Sequence, residues 1–490
     1  LHGVSACTGE ERIAYVPNAL MAQLPLLTLP TYTHRYFVDG SPTIVDAFWS
    51  SAWHTVLVGT TRAGGKAVFA MDVTDPGQFD ETNADDIVLW EIDNTDTGFT
   101  DLGYTFSQPA VVKAKGYDTW VAVFGNGYDS VDGKAVLYVI DIDDGTRQEA
   151  IVLDAGPDNG LSTVAPVDSD NDGEVDIIYA GDLKGNLWRI EAGNNGFSNG
   201  DSLLYAAKAD ATIAQPITTR PEVGRHPLKH DGRMVYFGTG KYYESEDGDP
   251  ANAVPNSMYG IFDDDSGTTV PSVIDHTLSN VLQRQVITTL TGQTFGTNTF
   301  DIRVLTDQSV TWITEGLDTC GDSNPDADAD NSTDDQYLQC GWYVDLPVTG
   351  EKMVSNPILR GGRLIFVTTI PSTNSCDAGG DSWLMEIAAD NGGEINNPVF
   401  DLNGDGVFDY NDMRTTGDSN DPYQSISGKK SKVGILQPPA IVAGVGGAGT
   451  GGYGKAEAKY SSGSKGGEIE VTIEDVGLPS GGRKSWIQFK

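Results

Sequence analysis

Gly40-Ser41-Pro42-Thr43-Ile44-Val45 is the first copy of a phrase that decides the fold: a polar residue, a proline, then a short apolar stretch. It returns as Ser107-Gln108-Pro109-Ala110-Val111-Val112, Val164-Ala165-Pro166-Val167 and Ala214-Gln215-Pro216-Ile217. Two later copies are Ser355-Asn356-Pro357-Ile358-Leu359 and Leu436-Gln437-Pro438-Pro439-Ala440-Ile441. Proline is tolerated at a strand entrance because no ladder hydrogen bond is needed there. The intervals between these prolines are 67, 57, 50, 141 and 81 residues, the long one leaving room for a further unit and an insertion. β-rich runs fill the intervals: Ala67 to Val73, Trp120 to Gly125, Ala135 to Ile142, Ile177 to Ala180, Met234 to Gly238 and Leu364 to Thr369. Gly, Asp and Asn turns separate them. Repeats holding several strands each read as an all-β propeller with inserted loops, against an irregular stack of β-sandwiches as the alternative. Helical patterning is confined to Pro17 to Leu27 and to a short segment after Asp409.

A single propeller domain over 1–490 is expected, with an acidic insertion at 317–341, a calcium-type loop at 400–413 and a Gly-rich loop at 443–470. The formal charge of −39, from 31 basic against 70 acidic residues, leaves no basic footprint for nucleic acid or for an anionic membrane surface. No run of 18 apolar residues predicts a membrane-spanning helix. Divalent cations and basic partners remain as ligands. Leu1 to Tyr15 have neither a charged n-region nor an apolar core and read as mid-strand and turn. The expectation is therefore a piece of a longer, exported chain with its first blade truncated. Of four cysteines, Cys320 and Cys340 bracket the acidic insertion and form the most plausible local disulfide, with Cys7 and Cys376 remaining.

Two loops carry metal-ligand spacing. In Asp168-Ser169-Asp170-Asn171-Asp172-Gly173-Glu174-Val175-Asp176, the acids at positions 1, 3, 5 and 9 converge if the chain turns at Gly173. The main-chain carbonyl of Glu174 then adds a ligand, and this many hard oxygens suits calcium. In Asp401-Leu402-Asn403-Gly404-Asp405-Gly406-Val407-Phe408-Asp409-Tyr410-Asn411-Asp412 the oxygen ligands would be Asp401, Asn403, Asp405, the Val407 carbonyl, Asp409 and Asp412. Asp at the twelfth position resembles the dockerin variant of the EF-hand loop. A weaker candidate, Asp326, Asp328, Asp330 and Asp334, has Asn331 in place of the turning glycine, so a solvated acidic loop stands beside the metal reading. Asp263-Asp264-Asp265 lacks the spacing and reads as a hairpin turn.

Several further stretches are similar to the C-terminal propeller of the PilY family, type IV pilus tip adhesins and biogenesis factors. They include Tyr36-Phe37-Val38-Asp39-Gly40-Ser41-Pro42, Ala70-Met71-Asp72-Val73-Thr74-Asp75-Pro76 and Tyr179-Ala180-Gly181-Asp182-Leu183-Lys184-Gly185-Asn186-Leu187-Trp188-Arg189. Gly341-Trp342-Tyr343-Val344-Asp345-Leu346-Pro347 and Gly434-Ile435-Leu436-Gln437-Pro438-Pro439 extend the resemblance over nearly the whole chain. It implies a modified quinoprotein-type propeller of about seven blades, with the family's calcium loop at Asp168, Asp170, Asp172, Glu174 and Asp176. It also implies a cell-surface protein at the pilus tip whose partners are minor pilins and a host or abiotic surface. Metal occupancy would then bear on pilus extension against retraction, twitching motility and attachment. No Arg-Gly-Asp is present, so integrin binding through that motif is not supported.

Two rival functions are a quinone-dependent dehydrogenase-like propeller and a stand-alone surface adhesin or lectin. Sites that resemble the first need a calcium beside the quinone, a carboxylate base and often a vicinal cysteine pair, and no adjacent pair is present. Asp182 could be a general base but sits where an aspartate caps a turn. His226 and His230 flank Pro227, which argues against one helix presenting both to a metal. The expectation is a non-enzyme in which calcium relieves carboxylate repulsion and orders the loop and the strand from Val175 to Ala180.

Overall fold

The computed structural model describes residues 1–198, 202–228, 231–277, 280–313, 320, 338–372, 374, 379–416, 422–443 and 456–476. Where one domain is expected over 1–490, the chain packs as two compact units. The first is residues 1–207 with 216–221 and 267–269; the second holds the remainder.

In the first unit the chain makes three up-and-down antiparallel sheets in succession. Thr43–Trp49, Ala52–Thr60, Ala67–Asp72 and Val88–Asp93 form one. Ala110–Lys113, Trp120–Gly125, Ala135–Asp141 and Arg147–Asp154 form the next. The third runs Leu161–Val167, Ile177–Asp182, Asn186–Gly193, and the last of these strands pairs with both Gly196–Phe197 and Ser202–Ala206. A hairpin of His2–Val4 and Glu11–Ala14 precedes them.

The apolar runs in the middle strands follow from covering on both faces. Along Ala135–Asp141, Val136, Tyr138 and Ile140 join a core with Val56, Val58, Val68 and Ala70 of the first sheet. Ala135, Leu137 and Val139 join a different core with Ile178, Ala180 and Ile190 of the third. Side chains alternate across a strand, so each residue belongs to one core or the other. At about 25 cal/mol per Å² of apolar surface, burial of each Val, Leu or Ile among them stabilises the fold by roughly 1.5–3 kcal/mol.

The second unit holds a five-stranded sheet ordered Glu222–Arg225, Arg233–Gly238, Ser257–Asp263, Gly341–Asp345 and Gln283–Gln285, the last strand parallel to its neighbour. A six-stranded sheet runs Ile287–Phe295, Asn298–Leu305, Gly428–Lys430, Gly380–Ala388, Arg363–Pro371, Ile358–Arg360. Ala440–Ala443, Ala456–Ser462 and Ile469–Asp475 make a three-stranded sheet. Beneath the surface lie paired charges: Arg303 and Glu351 are both fully buried, joined by two hydrogen bonds of 2.6 and 2.7 Å. Thr368 Oγ1 donates to the same carboxylate, and the Trp383 ring lies 4.0 Å from the guanidinium. Lys459, also buried, donates to Glu386 at 2.6 Å and to Glu474.

The proline phrases divide. Pro42, Pro109, Pro357 and Pro439 each precede the first residue of a strand. Pro166 lies inside Leu161–Val167, an edge strand whose solvent side needs no N–H, and Pro216 precedes no strand. Asp263–Asp265 ends a strand but not a hairpin, since Ser257–Asp263 pairs with Arg233–Gly238 and Gly341–Asp345. The segment expected as a Gly-rich loop at 443–470 contains the strand Ala456–Ser462; residues 444–455 lie outside the described part. Pro17 to Leu27 folds as the short helix Asn18–Met21 and a 3-10 turn at Leu24–Thr28. Cys320 and Cys340 are disulfide-bonded, Cys7 is exposed and free, and Cys376 is outside the described residues. Among the described residues no helix is long and apolar enough to cross a membrane.

Candidate metal centre

The loop 168–176 is the connection between two paired strands, closed where Val167 faces Ile177. Asn171 and Gly173 both take positive φ, 65° and 95°, which folds the apex back on itself. Asparagine enters that region more readily than most side chains, and glycine does so freely. The result gathers one carboxylate oxygen from each of Asp168, Asp170 and Asp172 within 4.8 Å of one another. Among the described residues no other group of three acidic, His or Cys side chains converges this way.

The main chain wraps the first of these. Asp168 Oδ1 accepts from the N–H of Asn171 at 2.7 Å and Asp172 at 3.2 Å, and Oδ2 accepts from Gly173 at 3.0 Å. Asp170 accepts from Asp172 N–H at 3.1 Å, and Asp172 from Glu174 N–H at 2.8 Å. Each carboxylate oxygen has two lone pairs, so these bonds leave acceptor capacity for a cation. Three anionic oxygens at this separation repel one another, and a hard divalent ion is the ligand that such a donor set fits. Asp170 and Asp172 are exposed, so an ion could enter from solvent.

Asp176 is placed differently from its expected role. Its Oδ1 accepts from Ser169 N–H at 3.0 Å and its Oδ2 from Ser169 Oγ at 2.6 Å, and the side chain is buried. It clasps the neck of the loop, outside the converging trio. Glu174 turns its side chain outward, 4.0 Å from Lys113 Nζ, leaving its main-chain carbonyl as the seventh-position donor anticipated from spacing. Val175 is stitched to the adjoining sheet: its N–H donates to the Lys113 carbonyl at 2.8 Å and its carbonyl accepts from Lys115 at 3.0 Å. Lys113 and Ser169 were not singled out by the sequence, and only the three-dimensional pairing of residue 114 with 175 reveals the stitch.

The second loop is ordered by its own hydrogen bonds. Asp401 accepts from Gly404 and Gly406, Asn403 donates to Asp405, and Asp409 accepts from Asn411. Asp412 is buried and accepts from the N–H groups of Leu402, Asn403 and Asp409, so it caps the loop. Burial pushes its carboxyl up to about 6, against the pull of those N–H donors. Asp401, Asp405 and Asp409 do not gather as the first trio does. Val407 donates its N–H to Asp405. The weaker candidate Asp326, Asp328, Asp330 and Asp334 lies outside the described residues, as does His230. His226 is buried against Phe262 and Trp312, a packing position.

Asp182 is fully buried and accepts five hydrogen bonds, from Asn159 and Asn186 side chains, Trp188 Nε1, and the N–H groups of Lys184 and Asn186. Burial raises its pKa against those donors. A carboxylate so enclosed fixes its turn.

Comparison with known proteins gives a consistent picture. A family profile described as the PilY1 β-propeller domain matches residues 9–299. The type IV pilus biogenesis factor PilY1 of Pseudomonas aeruginosa (strain UCBPP-PA14) is 36% identical over 448 residues, covering 84% of this chain and 36% of the relative. A PilY1 homolog from Xylella fastidiosa (strain Temecula1) is 33% identical, covering 86% of this chain and 27% of that protein. The chain thus spans about a third of the length of these relatives. The crystal structure of the P. aeruginosa PilY1 C-terminal domain superposes with a TM-score of 0.72 at 30% identity, covering 97% of this chain and 90% of that one.

Proposed function

Since the chain belongs to the PilY1 β-propeller family, we propose that it is the calcium-binding propeller of an exported type IV pilus biogenesis factor and adhesin. The observation that carries the metal part is the convergence of Asp168, Asp170 and Asp172 on a hairpin loop stitched to a neighbouring sheet. A calcium ion bound there would be held by these three carboxylates and the Glu174 carbonyl, and would neutralise their repulsion. The chain's own residues divide the rest of the work. Asp176 and Ser169 hold the neck closed, and Val175 ties the loop exit to Lys113 and Lys115. The strand Ile177–Asp182 is buried along its full length between two partners. The metal-sensitive part is therefore the apex, 169–174, and not that strand, which narrows the ordering expected from the sequence. An apex set in one shape presents a fixed surface to minor pilins, and its loosening would favour retraction over extension. No catalytic role is proposed, because Asp182, the one candidate base, is consumed by its turn.

The test is calcium calorimetry on this chain together with complementation. Asp170→Asn with Asp172→Asn, placed in the full-length gene, is expected to abolish one calcium site and to alter surface piliation and twitching. Normal motility with the calcium site demonstrably lost would remove metal from the pilus role.

A further inference from the structure

A second feature of the first unit is a cleft of about 540 Å³ that contains none of the carboxylates discussed above. Its walls are the start of the chain's first helix, the segment around Arg35, the Gly64-Gly65 turn, and the turn after Val88–Asp93. Two tyrosines face it: Tyr36 is 54% exposed and Tyr104 is 36% exposed. Lys66 Nζ lies 5.1 Å from the Tyr104 ring centre and is steadied by the Asp129 carbonyl and, at 3.3 Å, its carboxylate. The Arg35 side chain has no hydrogen-bond or ion-pair partner among the described residues. Gln23 and Asn94 supply amides on the same walls. Asp93, the acid in the lining, spends one oxygen on the N–H and Oγ1 of Thr95.

These features are uncommon together on a chain of charge −39. The charged side chains that line the cleft are Arg35 and Lys66 against Asp93, and Asp129 pairs with Lys66, so Arg35 is the cation of the lining that the cleft leaves available. A flat phenol face matches the C–H face of a pyranose, side-chain amides match its hydroxyls, and guanidinium or ammonium groups match a carboxylate. The volume falls within the range of small-ligand sites and exceeds one sugar ring. We propose that this cleft binds a carboxylated sugar, such as a sialic or uronic acid residue on a surface glycan. Arg35 and Lys66 would meet the carboxylate, and Tyr36 and Tyr104 the ring.

The inference deepens the adhesion part of the proposed function and rests on it, but not on calcium or on pilus assembly. Titration calorimetry would use 3′-sialyllactose, trigalacturonate, neutral lactose and tetraglutamate against the full chain. One or both carboxylated sugars are expected to bind at least about tenfold tighter than lactose or tetraglutamate. Which of the two does so identifies the source. Arg35→Ala should remove at least about tenfold of that affinity while leaving any lactose binding unchanged. Tyr104→Ala should weaken every sugar. Failure of both acidic sugars to bind at about 5 mM would overturn the proposal. Equal binding of lactose would equally overturn it, and so would equal binding of tetraglutamate, which would make this an acidic-peptide site. In each of those cases piliation of the Arg35→Ala strain still reports separately on the pilus reading.

Discussion

Replacing Asp172 with Asn should have opposite effects with and without calcium. The carbonyl oxygen of Asn can still accept from Glu174 N–H, so the apex keeps its hydrogen bond and loses only charge. Asp172 takes part in two of the three repulsive pairs of the trio, each with oxygens no more than 4.8 Å apart. In a solvent-like dielectric one such pair costs about 0.9 kcal/mol, and two cost about 1.7. Screening at physiological salt, with a Debye length of about 8 Å, roughly halves this, leaving about 1 kcal/mol. In EGTA the variant should therefore be more stable than the parent by about 1 kcal/mol. Calcium at about 5 mM, acting on a site of about 10⁻⁴ M, should stabilise the parent by about 2.3 kcal/mol and the variant by much less. The order of stability then inverts. Urea unfolding in paired EGTA and calcium buffers measures both arms. If the variant is less stable than the parent in EGTA, the carboxylates are not in mutual repulsion and the reasoning fails.

Other perturbations test the frame. Arg303→Met should destabilise the second unit by about 3–5 kcal/mol, because Glu351 is left charged and buried, whereas Arg303→Met with Glu351→Leu should recover most of it; denaturant midpoints decide. His276 donates from Nδ1 to Asp345 at 2.6 Å and from Nε2 to the Lys208 carbonyl at 2.7 Å, which only the imidazolium can do at once. Burial lowers its pKa, but Asp345 and that carbonyl outweigh it, so the folded value is raised above 6.5. Its stabilisation is then complete below about pH 6.5 and lost as pH rises through the folded value. Parent and His276→Gln stability curves should converge above that value, and curves that run parallel from pH 6 to 9 would count against it. Asp182→Ala should cost at least about 3 kcal/mol by removing the buried acceptor of five hydrogen bonds, with calcium affinity nearly intact; a calorimetric loss of calcium binding would tie the two sites together.

The sequence carried the strands and the Asp168 loop because both are local signals. Apolar runs between Gly and Asp turns mark buried strands, and the 1, 3, 5 spacing with Gly173 is enough to bring three carboxylates together. Asp176 shows where spacing stops. Position nine can point inward or close the neck, and the choice depends on Ser169 Oγ, a residue with no place in the pattern. Burial of charge was equally hidden. Along Asn298–Leu305, Ile302 and Val304 face the apolar core, so alternation predicts Arg303 toward solvent. It is fully buried instead, because Glu351 from a distant loop covers it. The proline phrases misled where an edge strand accepted Pro166 internally and where Pro216 had no strand to introduce.

The two-sided strand Ala135–Asp141 has an evolutionary consequence. Since Val136, Tyr138 and Ile140 pack toward one sheet, and Ala135, Leu137 and Val139 toward another, side chains that are neighbours in sequence here answer to different packing partners. Drift at residue 138 must be matched by changes in the sheet that begins at Thr43, and drift at residue 139 by changes in the sheet that begins at Leu161. Among homologues, substitutions along this strand should sort into two interleaved, mutually independent lineages of compensation, alternating one residue at a time.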